Sequence, residues 1–315
     1  MNSVLFFFGS LVVSFAAVFF VKGLNFGRGI IGIDINKKDR PKIPESTGIA
    51  LLVPFVLLVL HQVFFAKVNE LIPWLAMVAV FAIVGFYDDR KHKFLSKATP
   101  WLTRALPIGI VSIAFSYFFA PEGVWIIPLG LLLAGIASFQ NTFAGLNGLE
   151  IGSGFIISLF TTYILWGTPY QLIALGVSGA ILGLLMWNKF PAKVFPGDSG
   201  TLIIGSANAG LLLLTHDIRI ILLGFLLYLP HMIDFFVLKM GTNKHDATQQ
   251  KFQPYKLLLD GNLGIPDYPD KKERLDFAKL IIKIFGPLKE WQIVLVMWAI
   301  VSANGLLMLY LFKQL

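Results

Sequence analysis

Residues 124–150 read VWIIPLGLLLAGIASFQNTFAGLNGLE. From Val124 to Ala137 the run is mostly apolar, as a segment built for lipid should be. It then ends in Gln140, Asn141, Asn147 and Glu150, with Gly145 and Gly148 among them. Amides and carboxylates are costly in hydrocarbon. Either these groups cap a helix as it leaves the membrane, or they hold something polar there.

The rest of the chain fits the membrane setting. Of 315 residues 56% are hydrophobic and only 14% charged, with a mean hydropathy of +0.75. Soluble domains carry about 25% charged residues, so the composition predicts an integral membrane protein. Cysteine is absent, which excludes disulfides, thiolate metal sites and a cysteine nucleophile. The first apolar stretch, Val4 to Val21, lacks a basic start, and Lys22 follows it. That pattern predicts a transmembrane helix with its N-terminus outside rather than a signal peptide.

A span needs roughly 20 apolar residues. Ten helices are predicted, at about 3–22, 47–66, 71–87, 101–120, 124–142, 150–167, 171–188, 200–215, 218–238 and 288–312. The segments after the first, third, seventh and ninth hold most of the 26 Lys and Arg residues. The positive-inside rule then puts both termini outside and the charged loops in the cytoplasm. The expected fold is an all-α integral membrane protein forming one polytopic domain over residues 1–315. Its 239–287 segment is a cytoplasmic loop. Within that loop KKERLDFAKLIIKI, Lys271 to Ile284, sets Leu275, Ala278, Ile281, Ile282 and Phe285 against Lys272, Glu273, Asp276, Lys279 and Lys283. This spacing predicts an interfacial amphipathic helix, or an extension of the last span.

Polar residues at the cytoplasmic helix ends form one group. The first loop, GIDINKKDRPKIPESTG, carries Asp34, Asn36, Lys37 and Glu45. The third helix ends in Asp88 and Asp89, followed by Lys97. Acids are unfavourable at the negative end of a helix dipole, so this pair implies a function or a nearby cation. FPGDSGT, Phe195 to Thr201, opens the eighth helix. It reads as an ordinary N-cap and equally as a phosphate cradle, with Asp198 suited to Mg²⁺. Asn141 and Asn147 would face different sides of a continuous helix, but Gly145 lets the chain turn. Asn208, His231 and Asp234 read as packing or helix-end groups.

IPESTG at 43–48, VGFYDD at 84–89, NTFAGLNGLE at 141–150, VFPGDSGT at 194–201 and GPLKE at 286–290 together resemble the polyprenyl-phosphate N-acetylhexosamine-1-phosphate transferases. The pattern is nearest to the eukaryotic and archaeal UDP-N-acetylglucosamine:dolichyl-phosphate N-acetylglucosamine-1-phosphate transferases, and the bacterial wall enzymes are more distant. The resemblance implies transfer of a sugar-1-phosphate from a UDP-N-acetylhexosamine to a polyprenyl or dolichyl phosphate. UMP is released, and Mg²⁺ is required, with Mn²⁺ as a substitute. By position it implies Asn141 and Asp198 as metal ligands, Asp88, Asp89 and Lys97 as catalytic residues, and Glu45 near the nucleotide-sugar. Asn147 and Phe195 match the uracil site. In the loop after the ninth helix the family's Arg/His cluster is missing; Lys251, Lys244 and His245 are expected to replace its cations. Direct attack by the lipid phosphate is favoured over an aspartyl intermediate. The implied setting is the plasma membrane of an archaeon or the endoplasmic reticulum of a eukaryote, in protein N-glycosylation. A homodimer is compatible with this; a nucleic-acid partner is not expected. The competing reading is a secondary transporter of a nucleotide-sugar or other anion, since polar residues within spans often mark transport paths.

Overall fold

The computed structural model describes residues 3–91, 104–143, 145–242, 254–266 and 274–313. It is mostly helical. Helices α1 (Ser3–Gly27), α2 (Leu52–His61), α3 (Leu71–Lys91), α4 (Leu106–Phe119), α5 (Ile126–Phe139), α6 (Leu149–Ile164) and α7 (Gln171–Asn188) precede α8 (Gly197–Leu213). The helices α9 (Ile218–Leu226), α10 (Leu229–Met232), α11 (Met240–Thr242), α12 (Phe277–Phe285) and α13 (Glu290–Phe312) follow. Two small antiparallel hairpins complete it. Strand β1 (Ile31–Ile33) pairs with β2 (Lys42–Pro44), and β3 (Lys256–Leu257) with β4 (Leu263–Gly264).

Among the described residues, five helical segments are long and apolar enough to cross a bilayer: Ser3–Gly27, Thr47–Ala66, Leu71–Arg90, Gln171–Asn188 and Glu290–Phe312. A sixth forms if Ile218–Leu226 and Leu229–Thr242, bent by 57°, count as one span. This is an integral membrane protein. Large apolar side chains on the outer faces, such as Phe20, Phe65 and Val124, are exposed, as lipid contact requires.

Several boundaries differ from the expected ones. The segment predicted at 47–66 opens as a 3₁₀ turn over Thr47–Leu51 and closes as a π turn over Gln62–Ala66. Of the one predicted at 101–120, residues 101–103 lie outside the described residues, and the α-helix covers Leu106–Phe119. The opening stretch leaves its helix at Phe139, and turns carry Asn141 to Phe143. The segment predicted at 218–238 is broken at Leu227 and Tyr228, between α9 and α10, and Pro230 falls in the first turn of the new helix, where its missing N–H is tolerated.

Helix α8 is the centre. Every residue from Ser199 to Leu213 is buried. Its glycines, serines and alanines let neighbouring backbones approach, as in other membrane helix packings. A Cβ on Gly85 of α3 would lie 2.6 Å from the Ser199 Cα, and one on Gly48 would collide with Gly200. The N-terminus of α8 therefore sits against the C-terminus of α3 and the 3₁₀ turn. Trp74 Nε1 donates to the Ala207 carbonyl at 3.1 Å. Asn208 donates to its own helix, and His231 stacks on Phe143 with ring centroids 3.9 Å apart, so both are packing groups.

The amphipathic helix is separate from the last span, because Gly286 ends it at φ 80°. It starts at Phe277, where Asp276 accepts the Lys279 N–H at 2.7 Å. Ala278, Ile281 and Ile282 are buried as the spacing predicts, and two positions depart from it, Lys279 and Phe285. Lys279 is buried, with Nζ donating to the Arg274 carbonyl, while Ile284 and Phe285 are exposed. Asp234 accepts the Phe277 N–H at 2.8 Å, which ties α12 to the bent segment. Nearby, Tyr255 is buried. Burial, followed by the Asp276 and Asp234 carboxylates, holds its phenol well above the usual range.

Close packing of α1 on α7 depends on Gly179, where a Cβ would collide with the Phe7 carbonyl. Gly179→Val should cost about 1–3 kcal/mol of overpacking and lower the melting temperature of the detergent-solubilised protein. Gly9→Ala, with open space at its Cβ, should not.

Candidate active site

The site begins with the pairing of α3 and α8. Asp89 ends up in front of the α8 N-terminus. Its Oδ1 accepts the Asp198 N–H at 2.7 Å, and its Oδ2 accepts the Ser199 hydroxyl at 3.1 Å. The Ser199 N–H also points at Oδ2, at 3.4 Å. A carboxylate unfavourable for its own helix dipole is thus favourable for another's. The N-cap comes from a different helix, and Asp198 and Ser199 do not themselves cap α8. The Asp198 side chain is left free to point elsewhere.

Asp198 faces two partners. Asn141 Nδ2 donates to its Oδ1 at 2.7 Å. Arg104 Nη1 donates to its Oδ2 at 2.7 Å and to Asp88 Oδ2 at 3.1 Å. One guanidinium nitrogen therefore bridges two carboxylates from two helices. Asp88, Asp89 and Asp198 thus bring three acids to one place, with Arg104 bridging two of them. Partly buried carboxylates of this kind are paired or hold metals. Beside Asn141, Lys239 donates to the Thr142 carbonyl and pairs with Asp234 at 2.7 Å.

Asn147 lies in a second cluster, built by the first loop. Its backbone N–H donates to Glu290 Oε1 at 2.6 Å and its Nδ2 to Asp34 Oδ2 at 2.9 Å. Lys37 pairs with Glu290 and lies 3.3 Å from Asp34. Phe195 is half-buried near the same loop. Its N–H donates to the Pro44 carbonyl and its own carbonyl accepts from Thr47. A Cβ on Gly32 would lie 2.9 Å from the Phe195 ring and 3.5 Å from the Glu45 carboxyl carbon, so these three are neighbours.

Of the residues expected from sequence, Asp88, Asp89, Asn141 and Asp198 come together directly. Glu45 and Phe195 share one wall, and Asn147 sits with Asp34. Lys97, His245 and Lys251 lie outside the described residues. Sequence reasoning missed Arg104, although a charged residue opening an apolar helix is a usable signal. It also gave Glu290 no role, although the GPLKE motif contains it. Gln140 proves structural: buried, it donates to the Glu150 carbonyl at 2.6 Å and ties α5 to α6. Among the described residues, no group of three or more His, Cys, Asp or Glu is placed to hold a metal ion.

Comparison with known proteins places the chain in a family. The family model described as glycosyl transferase family 4 matches residues 71–216, which include Asp88, Arg104, Asn141 and Asp198. A protein of Methanocaldococcus jannaschii, provisionally named a glycosyltransferase, is 33% identical over 274 residues, 85% of this chain and 83% of its own. A Saccharolobus solfataricus protein is 30% identical over 295 residues, 85% of this chain and 84% of its own. It is provisionally named UDP-N-acetylglucosamine–dolichyl-phosphate N-acetylglucosaminephosphotransferase. A phospho-N-acetylmuramoyl-pentapeptide-transferase of Prochlorococcus marinus is 29% identical over 243 residues, 68% of each chain.

Asp89→Ala removes the acceptor at the α8 N-terminus. It should cost about 1–2 kcal/mol, and exchange of the Asp198 and Ser199 amides should quicken in hydrogen–deuterium exchange. Asp89→Asn keeps an acceptor and should lose less.

Proposed function

The chain belongs to glycosyl transferase family 4, and on that premise we propose that it transfers N-acetylglucosamine-1-phosphate, or a related N-acetylhexosamine-1-phosphate, from a UDP-sugar to a polyprenyl or dolichyl phosphate. UMP is the second product. The reaction is then the first membrane step of lipid-linked glycan synthesis, serving protein N-glycosylation. The observation that carries the reading is the meeting of Asp198 and Asp88 on one guanidinium nitrogen, with Asn141 bonded to the other oxygen of Asp198. That is an oxygen-rich, acidic point at the ends of apolar helices, where a water-soluble anion and a lipid phosphate can meet.

The donor set suits Mg²⁺. The ion takes hard oxygen ligands, uses only one or two protein carboxylates and leaves its remaining positions to water and substrate phosphate. Asp198 and Asn141 would hold it, and when bound it would neutralise the diphosphate and the leaving UMP.

The chain's own groups do the rest. Asp89 holds the α8 N-terminus and therefore Asp198. Arg104, half-exposed between two acids, supplies a cation within reach of a diphosphate. Phe195 offers a ring face to the base and Asn147 an amide. An oxygen of the lipid phosphate attacks the β-phosphorus in line. The bond from that phosphorus to the bridging oxygen breaks, and UMP departs with the electron pair. The lipid phosphate is already anionic at neutral pH, so holding both substrates in place is the main catalytic contribution. Direct attack needs no covalent aspartate. With ten crossings, the positive-inside rule would put both termini outside and the site on the cytoplasmic face. The transporter reading has one bent helix pair to support it.

Radiolabel from UDP-GlcNAc should enter butanol-extractable lipid, stop with EDTA and return with Mg²⁺. Asp198→Ala and Asn141→Ala should lower turnover on the order of a hundredfold or more, the scale of several kcal/mol of lost charge stabilisation. Well-folded variants at full activity would refute the site. Nucleotide-sugar uptake into sealed vesicles without lipid product would favour transport.

A further inference from the structure

The first loop carries the sequence Asp34-Ile35-Asn36-Lys37, and the proposed mechanism gives it no task. Its side chains nevertheless converge on one turn. Asn36 Nδ2 donates to the Gly145 carbonyl at 2.8 Å. Asp34 takes the Asn147 amide, and Lys37 bonds Glu290, which accepts the Asn147 backbone N–H. Asp34 is 5% exposed, Asn36 6%, Asn147 6% and Glu290 3%. Lys37 also lies over the Phe190 ring, 4.5 Å from its centroid. The hairpin of β3 and β4 ties in from outside, since Lys38 donates to the Leu259 carbonyl and Leu263 bridges to Leu288 beside α13.

Burying two acids and an ammonium is expensive unless their geometry is fixed and useful. Here the geometry settles one chemical question. A carboxylate only accepts hydrogen bonds. Asp34 therefore forces Asn147 to turn its Nδ2 inward, and Glu290 pins the backbone to which that side chain belongs. Among the described residues none donates to Asn147 Oδ1. The amide that reads the ligand is thus presented as an acceptor.

We infer that Asp34, Lys37 and Glu290 are positioning residues that fix Asn147 Oδ1 as an acceptor and thereby set the base selectivity of the nucleotide site without touching the nucleotide. This rests on the reading of Asn147 as part of a uridine-nucleotide site. An acceptor aimed at the middle of a pyrimidine edge bonds the N3–H of uracil. It repels the N3 lone pair of cytosine. Sites built around a defined donor–acceptor pattern reject the mismatched analogue strongly, because a buried group is left unpaired.

The test is calorimetric binding of UMP and CMP to the full-length protein in detergent, with donor KM and kcat measured alongside. In Asp34→Asn the new side chain offers a donor as readily as an acceptor, so Asn147 can rotate. UMP affinity should fall about tenfold or more, which is about 1.4 kcal/mol. CMP affinity should change little, and the donor KM should rise far more than kcat falls. Glu290→Gln should shift the same ratio less, because it keeps one acceptor for the Asn147 N–H. If Asp34→Asn does not purify as a monodisperse protein, Lys37→Met gives the same readout from a more exposed position. An unchanged UMP-to-CMP ratio, or equal loss of both nucleotides, would overturn the inference while unmodified protein still makes lipid product. If the unmodified protein makes no lipid product and does not prefer UMP, the transferase reading falls, and this inference with it.

Discussion

The approach of the α8 N-terminus to the C-terminal end of α3 is the contact from which the rest of the site follows. Two backbones meet there because Gly85, Gly48 and Gly200 have no side chains to hold them apart. The approach leaves Asp89 facing unpaired amides, and its carboxylate caps a helix in another part of the chain. Neither partner is satisfied alone. Asp89 is unfavourable at its own helix end, and α8 begins with Pro196 at the cap position, with no side chain of its own bonding the first amides. The contact relieves both faults. It also frees Asp198 to meet Asn141 and Arg104.

A second constraint acts on the turn after α5. The segment must leave its helix at Phe139, pass Asn141 beside Asp198, and bring Asn147 to the first loop. Gln140 anchors the start of this path on α6, and the Asp34–Lys37–Glu290 group anchors its end. Gly145 at φ 109° and Gly148 at φ 85° supply backbone conformations that other residues adopt only with strain. One short segment therefore serves two polar clusters, and the last helix, α13, takes part through its first residue.

Much of this was legible in the sequence. Apolar run lengths and the polar motifs at helix ends identified a helical membrane protein and put Asp88, Asp89, Asn141 and Asp198 in one group. These features depend on local pattern and on the cost of polar atoms in lipid. Helix interruptions were less legible. The bend after Leu226 and the 3₁₀ and π turns around α2 lie within apolar runs whose composition does not mark them. On α12 the apolar face Ala278, Ile281 and Ile282 is buried as the spacing implied, and two positions depart from it. Lys279 finds a carbonyl partner when buried, while Ile284 and Phe285 stay exposed because the surroundings of a membrane protein can be apolar on the outside.

The sequence by itself determined the composition of the cluster, since oxygen donors, amides and glycines at those positions admit few uses at a membrane surface. Only the tertiary structure decided which carboxylate does what. Asp88 and Asp89 are adjacent and chemically identical, yet one shares an arginine with Asp198 and the other caps α8. Their directions, about 100° apart on a helix, acquire meaning only once α4 and α8 are packed on either side. Arg104 and Glu290 depend on the same fact. The position of each at a helix start is visible in the sequence, but its partner, from a distant part of the chain, is brought within hydrogen-bonding distance only by folding.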